Sequence, residues 1–329
     1  MTSGHRSRPP SDAAIPHLGR LTSPPGAERV LEAALGEHGA SGGAGPLRVQ
    51  AVTVLRGHAG SRWTLRYVVR RGGEERTLIG KVYAEDRRDV PDLLGALRAH
   101  GLGPGQPSQV PAPVAYLPEL RFLLVEEAPG VPARTALRWG DPGTLERLAR
   151  WLAAFHAVPV PPPARNRARD PLRKARRWTR ALGKHAPDLR GDARELLAAL
   201  EDRQPPRAPR LHLVHGDFSV SHVYVAPEVT TVIDWDSWEV GDGAEDAGRL
   251  LASLHHLAAR RPERYGGMAE RFARLCRERV PAAREGLPFY GALSCLRTAK
   301  RLAASGVPHR VASAGTLLAD GRRLLNPGD

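Results

Sequence analysis

The sequence predicts an α+β protein with two lobes, a small N-terminal lobe built on an antiparallel β-sheet and a larger, mainly helical C-terminal lobe. Between residues 47 and 126, short extended segments alternate with glycine-containing turns. Beyond residue 130 the apolar residues recur at helical spacing, and residues 211–236 interrupt them with two short strands. A chain of 329 residues is long enough to give both lobes a substantial core.

The N-terminal segment changes character near residue 26. Residues 1–25 are rich in Pro, Ser, Arg and Gly and poor in aliphatic side chains, which predicts a disordered tail. Residues 27–36 follow two prolines and carry an apolar stripe, which predicts a short amphipathic helix. The predicted lobes therefore span 26–128 and 129–329.

The remaining elements follow from the period of the apolar residues. In the N-terminal lobe we expect strands at 49–55, 63–69, 77–83, 111–116 and 121–126 and a helix at 89–100. In the C-terminal lobe we expect helices at 145–156, 194–200, 248–259, 269–279, 288–304 and 312–325, with strands at 211–214 and 229–233 forming an embedded hairpin.

Composition restricts the class of partner and the compartment. The chain has a formal charge of +14, but aromatic side chains for base stacking make up only 5% of it, so nucleic acid is an unfavoured partner. Only four of the 49 basic residues are lysines, and most of the excess lies beyond residue 129. Two cysteines give no disulfide framework, and neither a signal peptide nor an apolar run of about 18 residues is present. We therefore expect a cytoplasmic protein without a membrane partner.

The segment 211–236 contains the candidate catalytic and metal-binding residues. It contains His215-Gly216-Asp217, then His222, and then Asp234 at the end of an apolar strand within Val232-Ile233-Asp234-Trp235-Asp236. A carboxylate at a strand end can act as a base toward a hydroxyl or hold a hard cation such as Mg²⁺. Six acids and no basic residue lie between positions 234 and 246 of an otherwise basic lobe.

These paired motifs resemble those of the aminoglycoside phosphotransferase and choline kinase superfamily, whose members are relatives of protein kinases. The family's catalytic loop reads H-G-D-x-x-x-x-N and its metal motif I-D-W/F-E/D, and the resemblance covers residues 27–325. It implies a bilobal protein-kinase-like fold and an ATP- and Mg²⁺-dependent kinase for a small-molecule alcohol. Asp217 would be the catalytic base and Asp234 the main metal ligand, with Asp236 assisting through a second metal or a water shell. His215 matches the first residue of the catalytic loop, where we favour a packed scaffold role.

One position departs from the family pattern. His222 stands where the family has Asn, and an imidazole is a poorer magnesium ligand than an amide oxygen. His222 either donates a hydrogen bond within the loop, which we favour, or alters metal occupancy, or impairs transfer. The last possibility motivates a second hypothesis, that of a nucleotide-binding pseudokinase acting as a scaffold.

In the N-terminal lobe, Lys81 lies in the middle of an apolar strand and needs an anionic partner there. It resembles the kinase lysine that pairs with the α- and β-phosphates of the nucleotide. The family's orienting glutamate is not evident, because no Glu lies between positions 86 and 101, and Asp89 or Asp92 could substitute.

Two further segments are candidates for nucleotide contacts. The turn containing Gly57, Gly60 and Ser61 could cover phosphates with its backbone N–H groups and the serine hydroxyl. The segment that includes Glu126 and Ala128 resembles the hinge where main-chain groups meet the adenine edge.

The strongest local charge lies at residues 165–180. This stretch has one acid and eight basic residues, namely Arg165, Arg167, Arg169, Arg173, Lys174, Arg176, Arg177 and Arg180. It is interpreted as a solvated surface, an anionic-substrate site or a polyanion patch, with the first favoured. Its charge makes neutral or anionic acceptors more plausible than polycationic ones.

Overall fold

The computed structural model describes residues 10–37, 45–159, 170–206 and 210–326. The chain separates into two units, one made of residues 1–99 with 110–128 and the other of residues 100–109 with 129–329. None of the helices in the described ranges is both long and apolar enough to cross a membrane.

The strands are β1 (Arg48–His58), β2 (Arg62–Arg71), β3 (Glu74–Tyr83), β4 (Ser108–Gln109), β5 (Pro113–Leu117), β6 (Phe122–Glu126), β7 (Val131–Pro132), β8 (His212–Val214), β9 (Val223–Val225), β10 (Thr230–Val232) and β11 (Glu239–Gly241). The helices are α1 (Leu18–Thr22), α2 (Pro24–Glu37), α3 (Asp89–Leu97), α4 (Ala133–Arg138), α5 (Thr144–Ala157), α6 (Pro171–His185), α7 (Arg190–Asp202), α8 (Ala244–Arg260), α9 (Pro262–Tyr265), α10 (Met268–Arg279), α11 (Leu287–Ala303) and α12 (Pro308–Leu325).

The first unit is built on a five-stranded antiparallel sheet in the order β1-β2-β3-β6-β5. Alternate residues of the strands, such as Leu65, Tyr67 and Val69 of β2, are buried against α1 and α2. This alternation is the two-residue period expected of strands with one buried face.

Residues 10–25 correct the prediction of a disordered tail, of which residues 1–9 lie outside the described residues. Ile15, Leu18 and Leu21 are fully buried in the same apolar cluster as the sheet. The Tyr67 hydroxyl donates a hydrogen bond to the Leu21 carbonyl over 3.1 Å. The segment has few large aliphatic residues, but Ile15, Leu18 and Leu21 are spaced so that each one is buried, and composition averaged over 25 residues hid this.

The unit boundaries also differ from the predicted lobes, since residues 100–109 belong to the second unit. Strand β4 pairs in parallel with β10, and the Trp151 indole donates to the Gln109 carbonyl over 3.0 Å. A two-residue strand leaves no periodic signal, so sequence patterns cannot detect it.

The second unit contains two small sheets, β4-β10-β9-β7 and β11-β8, beside its helices. The prediction of one hairpin between 211–214 and 229–233 is therefore wrong. Strand β8 pairs with β11, whereas β10 pairs with β9, and both pairings are antiparallel. The two sheets bring the ends of three strands together, and these ends carry the candidate site.

Candidate active site

A buried aromatic cluster packs against the loop and the turn that carry the candidate site. Trp151 and Phe155 of α5 contact the Trp235 ring at centroid distances of 6.0 and 5.3 Å, and Phe218 stacks on Trp151 at 5.4 Å. The His215 ring meets the edge of Trp235 at 4.6 Å. Trp151, Phe155 and Phe218 are fully buried, so the loop after β8 and the turn after β10 rest on a rigid base.

His215 is a buried member of this scaffold. Its Nε2 donates to the Ile233 carbonyl over 2.9 Å, and its Nδ1 accepts the Asp217 backbone N–H over 3.2 Å. These bonds assign the neutral Nε2–H tautomer, because a carbonyl only accepts and an N–H only donates. Burial lowers the pKa of His215 to about 4, so the ring is neutral at pH 7. His215 therefore positions Asp217, as the scaffold interpretation expects, and is not itself placed to exchange a proton.

Gly216 has a conformation that only glycine adopts without strain. Its φ is +79°, and a Cβ at this position would lie 2.0 Å from the Ser237 carbonyl oxygen. The buried Asp246 accepts from the backbone N–H groups of both His215 and Gly216. These bonds give Asp246 a structural role in holding the catalytic loop.

Asp217 presents its carboxylate to solvent, with 44% of the side chain exposed. Its Oδ1 lies 3.5 Å from Nη2 of Arg297, and its Oδ2 lies 3.5 Å from Nδ1 of His222. An accessible carboxylate held by its own backbone bonds is suited to accept a proton from a hydroxyl.

Asp234 follows β10 in the left-handed region, with φ +68° and ψ +60°. A non-glycine residue in this region costs of order 1 kcal/mol, and such strain concentrates at functional sites. The side chain is 18% exposed, and its Oδ2 lies 3.6 Å from Nε2 of His222. The turn therefore directs this carboxylate toward His222.

Asp217, His222 and Asp234 form one cluster of possible metal ligands. Each offers one ligand atom, and the three atoms lie within 4.8 Å of one another. The Nδ1 of His222 donates to the Asp217 carbonyl over 2.8 Å, which is the hydrogen bond within the loop that the sequence favours. Asp236 lies two residues beyond Asp234, in the 3₁₀ turn Trp235–Ser237, outside this cluster.

In the first unit, Lys81 lies on β3 opposite Thr64 of β2 and Leu123 of β6 and is half-buried. Asp89, one of the two acids considered as its partner, holds Arg87 through both carboxylate oxygens at 3.0 and 3.2 Å.

Two N–H groups of the turn after β1 have partners within the first unit. The Gly60 N–H donates to the Asp12 carboxylate over 2.9 Å, and the Ser61 N–H donates to the His58 carbonyl over 2.9 Å. Gly57 is explained by packing, since a Cβ there would lie 2.4 Å from the Trp63 ring. The phosphate role predicted for Gly57, Gly60 and Ser61 stays a prediction, and it would require the Gly60 and Ser61 N–H groups to leave these partners.

The hinge residues lie at the end of β6. The Glu126 side chain pairs with Arg76 at 2.7 Å, and its N–H donates to the Ala112 carbonyl over 3.0 Å. Ala128 is the last residue of the first unit. Neither side chain would take part in an adenine contact, which the resemblance assigns to main-chain groups.

A narrow recess in the second unit adjoins the site through Arg297 and was missed by sequence reasoning. Helices α6, α8 and α11 line it, and three of its residues are cations, namely Lys174, Arg249 and Arg297. Nζ of Lys174 and Nη2 of Arg249 each lie 3.8 Å from Oε1 of Glu239. Burial raises the pKa of the neighbouring Glu245 to about 7. Residues 165–169 of the basic stretch lie outside the described residues, and the rest belongs to α6.

An antiparallel sheet unit followed by a mainly helical unit is a kinase-like fold, and the match to a family model defines the class as a phosphotransferase. The chain matches the Phosphotransferase enzyme family over residues 48–288, and it belongs to that family. The resemblance drawn from the motifs, the predicted fold class and the predicted enzyme class, a phosphotransferase acting on a hydroxyl group, are thereby confirmed. No curated protein sequence matches the chain.

Solved structures with this fold share little sequence with the chain. A thermostable mutant of aminoglycoside phosphotransferase APH(4)-Ia, in a ternary complex with AMP-PNP and hygromycin B, is 17% identical with a TM-score of 0.58; the match covers 91% of this chain and 99% of that one. A choline/ethanolamine kinase family protein from Mesorhizobium loti is 17% identical with a TM-score of 0.52 and coverages of 90% and 95%. The amicoumacin kinase hAmiN, in complex with AMP-PNP, Ca²⁺ and Ami, is 16% identical with a TM-score of 0.51 and coverages of 84% and 88%.

Proposed function

We propose that the protein is an ATP-dependent kinase that transfers the γ-phosphate to a hydroxyl of a small molecule, such as a sugar, an amino alcohol or an antibiotic-like compound. The observation that carries the proposal is the Asp217–His222–Asp234 cluster within a chain of the phosphotransferase family. Structures with this fold that contain AMP-PNP support ATP as the donor. We propose the cytoplasm as the location, since ATP is available there and both cysteines are free thiols.

Asp217 is the proposed catalytic base. Its exposed carboxylate would accept the proton of the acceptor hydroxyl as the new oxygen–phosphorus bond forms and the bond to the leaving ADP oxygen breaks. The buried His215 and Asp246 hold the loop backbone, so Asp217 is oriented before the acceptor arrives. Preorganisation of this kind removes an entropic cost from the transfer step.

The donor set of the cluster fits a divalent cation. Asp234 and His222 would hold it, with Asp236 assisting through water, and the ion proposed from the family resemblance is Mg²⁺. Such an ion, when bound, neutralises charge on the nucleotide phosphates. Lys81 is proposed to pair with nucleotide phosphates as a point charge, and main-chain groups of Glu126 and Ala128 to meet the adenine.

The acceptor is proposed to be neutral or anionic rather than polycationic. Arg297 lies 3.5 Å from the proposed base, and it shares the recess with Lys174 and Arg249. A polycationic acceptor that approached Asp217 beside Arg297 would meet a like charge, whereas an acceptor bearing a carboxylate or phosphate would gain Coulomb energy there. Lys174 and Arg249 contribute less, because both already face Glu239.

The decisive experiment measures ADP release over a panel of alcohol acceptors of differing charge, followed by mass detection of the phosphorylated product. We expect wild-type turnover with at least one acceptor and none for Asp217→Asn, while nucleotide binding measured by calorimetry is retained. Asp188→Asn, a change of the same kind at an exposed acid, should leave turnover unchanged. Full activity of Asp217→Asn would remove Asp217 as the base.

A second candidate function is a nucleotide-binding pseudokinase, which the replacement of the family's Asn by His222 favours. It predicts that ATP raises the thermal unfolding midpoint while no acceptor in the panel is phosphorylated. Restoration of transfer by His222→Asn would then identify the histidine as the cause.

A further inference from the structure

The orientation of the His222 ring leaves one nitrogen directed at Asp234. Nδ1 lies 2.8 Å from the Asp217 carbonyl oxygen, which only accepts, so Nδ1 carries a proton; in this tautomer of the ring Nε2 carries a lone pair. Nε2 lies 3.6 Å from Oδ2 of Asp234, and the two side chains are only 16% and 18% exposed. The hydrogen bond and the metal-ligand role, which the sequence presents as alternatives, are thus compatible, because they use different nitrogens.

We propose that Nε2 of His222 and the Asp234 carboxylate are ligands of one divalent cation, and that the nitrogen ligand makes this site prefer Mn²⁺ over Mg²⁺. The proposal rests on the metal site of the proposed function and specifies which ion it selects.

The distances allow a shared ion. Two ligand atoms that each bond one ion at about 2.1 Å can be at most about 4.2 Å apart. The 3.6 Å between Nε2 and the Asp234 oxygen lies within this limit. The Nδ1 hydrogen bond to Asp217 also fixes the ring, as the outer hydrogen bond of a metal-bound histidine does.

The chemistry of the donor set favours Mn²⁺ over Mg²⁺. Mg²⁺ is a hard ion that strongly prefers oxygen ligands, and an imidazole nitrogen in its shell is unfavourable. Mn²⁺ accepts both carboxylate and imidazole ligands and binds nitrogen donors better than Mg²⁺ does. One nitrogen and two nearby carboxylates, those of Asp217 and Asp234, therefore suit Mn²⁺.

A different arrangement of the same atoms predicts the opposite behaviour. If the ring were an imidazolium, Nε2–H would donate to Asp234, and the ion pair would occupy the place of the cation. Removing the ring would then strengthen binding of both ions rather than change their ratio.

The test titrates the full chain with Mn²⁺ and measures bound Mn²⁺ by electron paramagnetic resonance. Competition with Mg²⁺ then gives the ratio of the two affinities. Both measurements are made with and without AMP-PNP. We expect the preference for Mn²⁺ over Mg²⁺ to fall about tenfold or more in His222→Asn. His309→Asn, which removes an exposed histidine of α12, should retain the wild-type ratio. Protein labelled with ¹⁵N-histidine should show a ¹⁵N coupling to bound Mn²⁺ that the His222→Asn protein lacks.

An unchanged ratio without nitrogen coupling would overturn the proposal, as would tighter binding of both ions by His222→Asn. The readout is independent of transfer. Nitrogen-ligated Mn²⁺ in a protein without kinase activity would defeat the proposed function alone. Phosphoryl transfer with Mg²⁺ preferred and no nitrogen coupling would defeat this inference alone.

Discussion

The backbone N–H of His215 donates a hydrogen bond to the buried carboxylate of Asp246 over 2.6 Å. The other oxygen of the same carboxylate accepts the Gly216 N–H over 3.0 Å. One side chain on α8 therefore fixes the two residues that precede the proposed base, although it lies about 30 positions further along the chain.

Asp246→Asn should disturb this support without changing the size of the side chain. An amide offers one acceptor oxygen and turns its NH₂ group toward the second backbone N–H, so a buried donor loses its partner. We expect a loss of about 1–3 kcal/mol in the free energy of unfolding, measured by urea titration, and a lower kcat. Asp188→Asn, at an exposed acid, serves as the control. Equal stability of the two variants would show that the hydrogen bonds at Asp246 contribute nothing.

Gly216→Ala separates steric overlap from backbone strain when it is compared with Gly267→Ala. The two glycines have φ values of +79° and +76°, but a Cβ at Gly216 would lie 2.0 Å from the Ser237 carbonyl oxygen, and one at Gly267 meets nothing within 4 Å. Gly267→Ala should cost of order 1 kcal/mol from conformation alone. Gly216→Ala should cost clearly more and abolish turnover, because the loop must move. Similar unfolding free energies for the two variants would contradict this.

The buried side chain of His156 should make the free energy of unfolding depend on pH. The side chain is buried, neither ring nitrogen has a hydrogen-bond partner among the described residues, and burial lowers its pKa to about 3. The unfolded chain, with a histidine pKa near 6.5, therefore binds more protons between pH 6.5 and 3, and stability falls as the pH is lowered through 6.5. His156 alone should contribute a slope of up to about 1.4 kcal/mol per pH unit to the plot of unfolding free energy against pH.

The measurement compares urea unfolding of the wild type and His156→Leu at pH 7.5, 6.5 and 5.5. The difference in unfolding free energy should shift in favour of the variant as the pH falls, by about 1 kcal/mol between pH 6.5 and 5.5. His309→Leu, at an exposed position, should follow the wild-type slope. Parallel slopes for the wild type and His156→Leu would exclude His156 as the acid-sensitive group.

The sequence predicted those parts of the site whose residues are near one another along the chain. Asp217, His222 and Asp234 lie within 18 positions, on strand ends bounded by short apolar runs, so their convergence followed from local pattern and motif. The central strands of the five-stranded sheet were predicted for the same reason, since their period of two is a local property.

Contacts between distant segments were not predictable from these patterns. Asp12 accepts the Gly60 N–H across 48 positions, and nothing in the composition of the first 25 residues indicates such a contact. Arg297 reaches Asp217 across 80 positions from the middle of a helix whose sequence gives only an amphipathic stripe. Such pairs are set by tertiary packing, which apolar periodicity does not specify.

We expect Arg297 to bind the anionic group of an acceptor. Its Nη2 lies 3.5 Å from Asp217 Oδ1, and 38% of the side chain is exposed, so an incoming anion can reach it. Arg297→Met keeps most of the apolar stem and removes the charge. We expect KM for an acceptor bearing a carboxylate or phosphate to rise about tenfold or more, since a charge-assisted hydrogen bond contributes about 1.5–3 kcal/mol.

The control is Arg301→Met, which removes an exposed arginine one turn further along α11 and should leave KM unchanged. KM for ATP should also remain near the wild-type value in Arg297→Met. If instead kcat falls while KM for the acceptor is unchanged, Arg297 orients the Asp217 carboxylate and does not bind the acceptor. A neutral acceptor gives the final comparison, because its KM should be indifferent to the charge at position 297, and an equal rise for neutral and anionic acceptors would contradict electrostatic recognition.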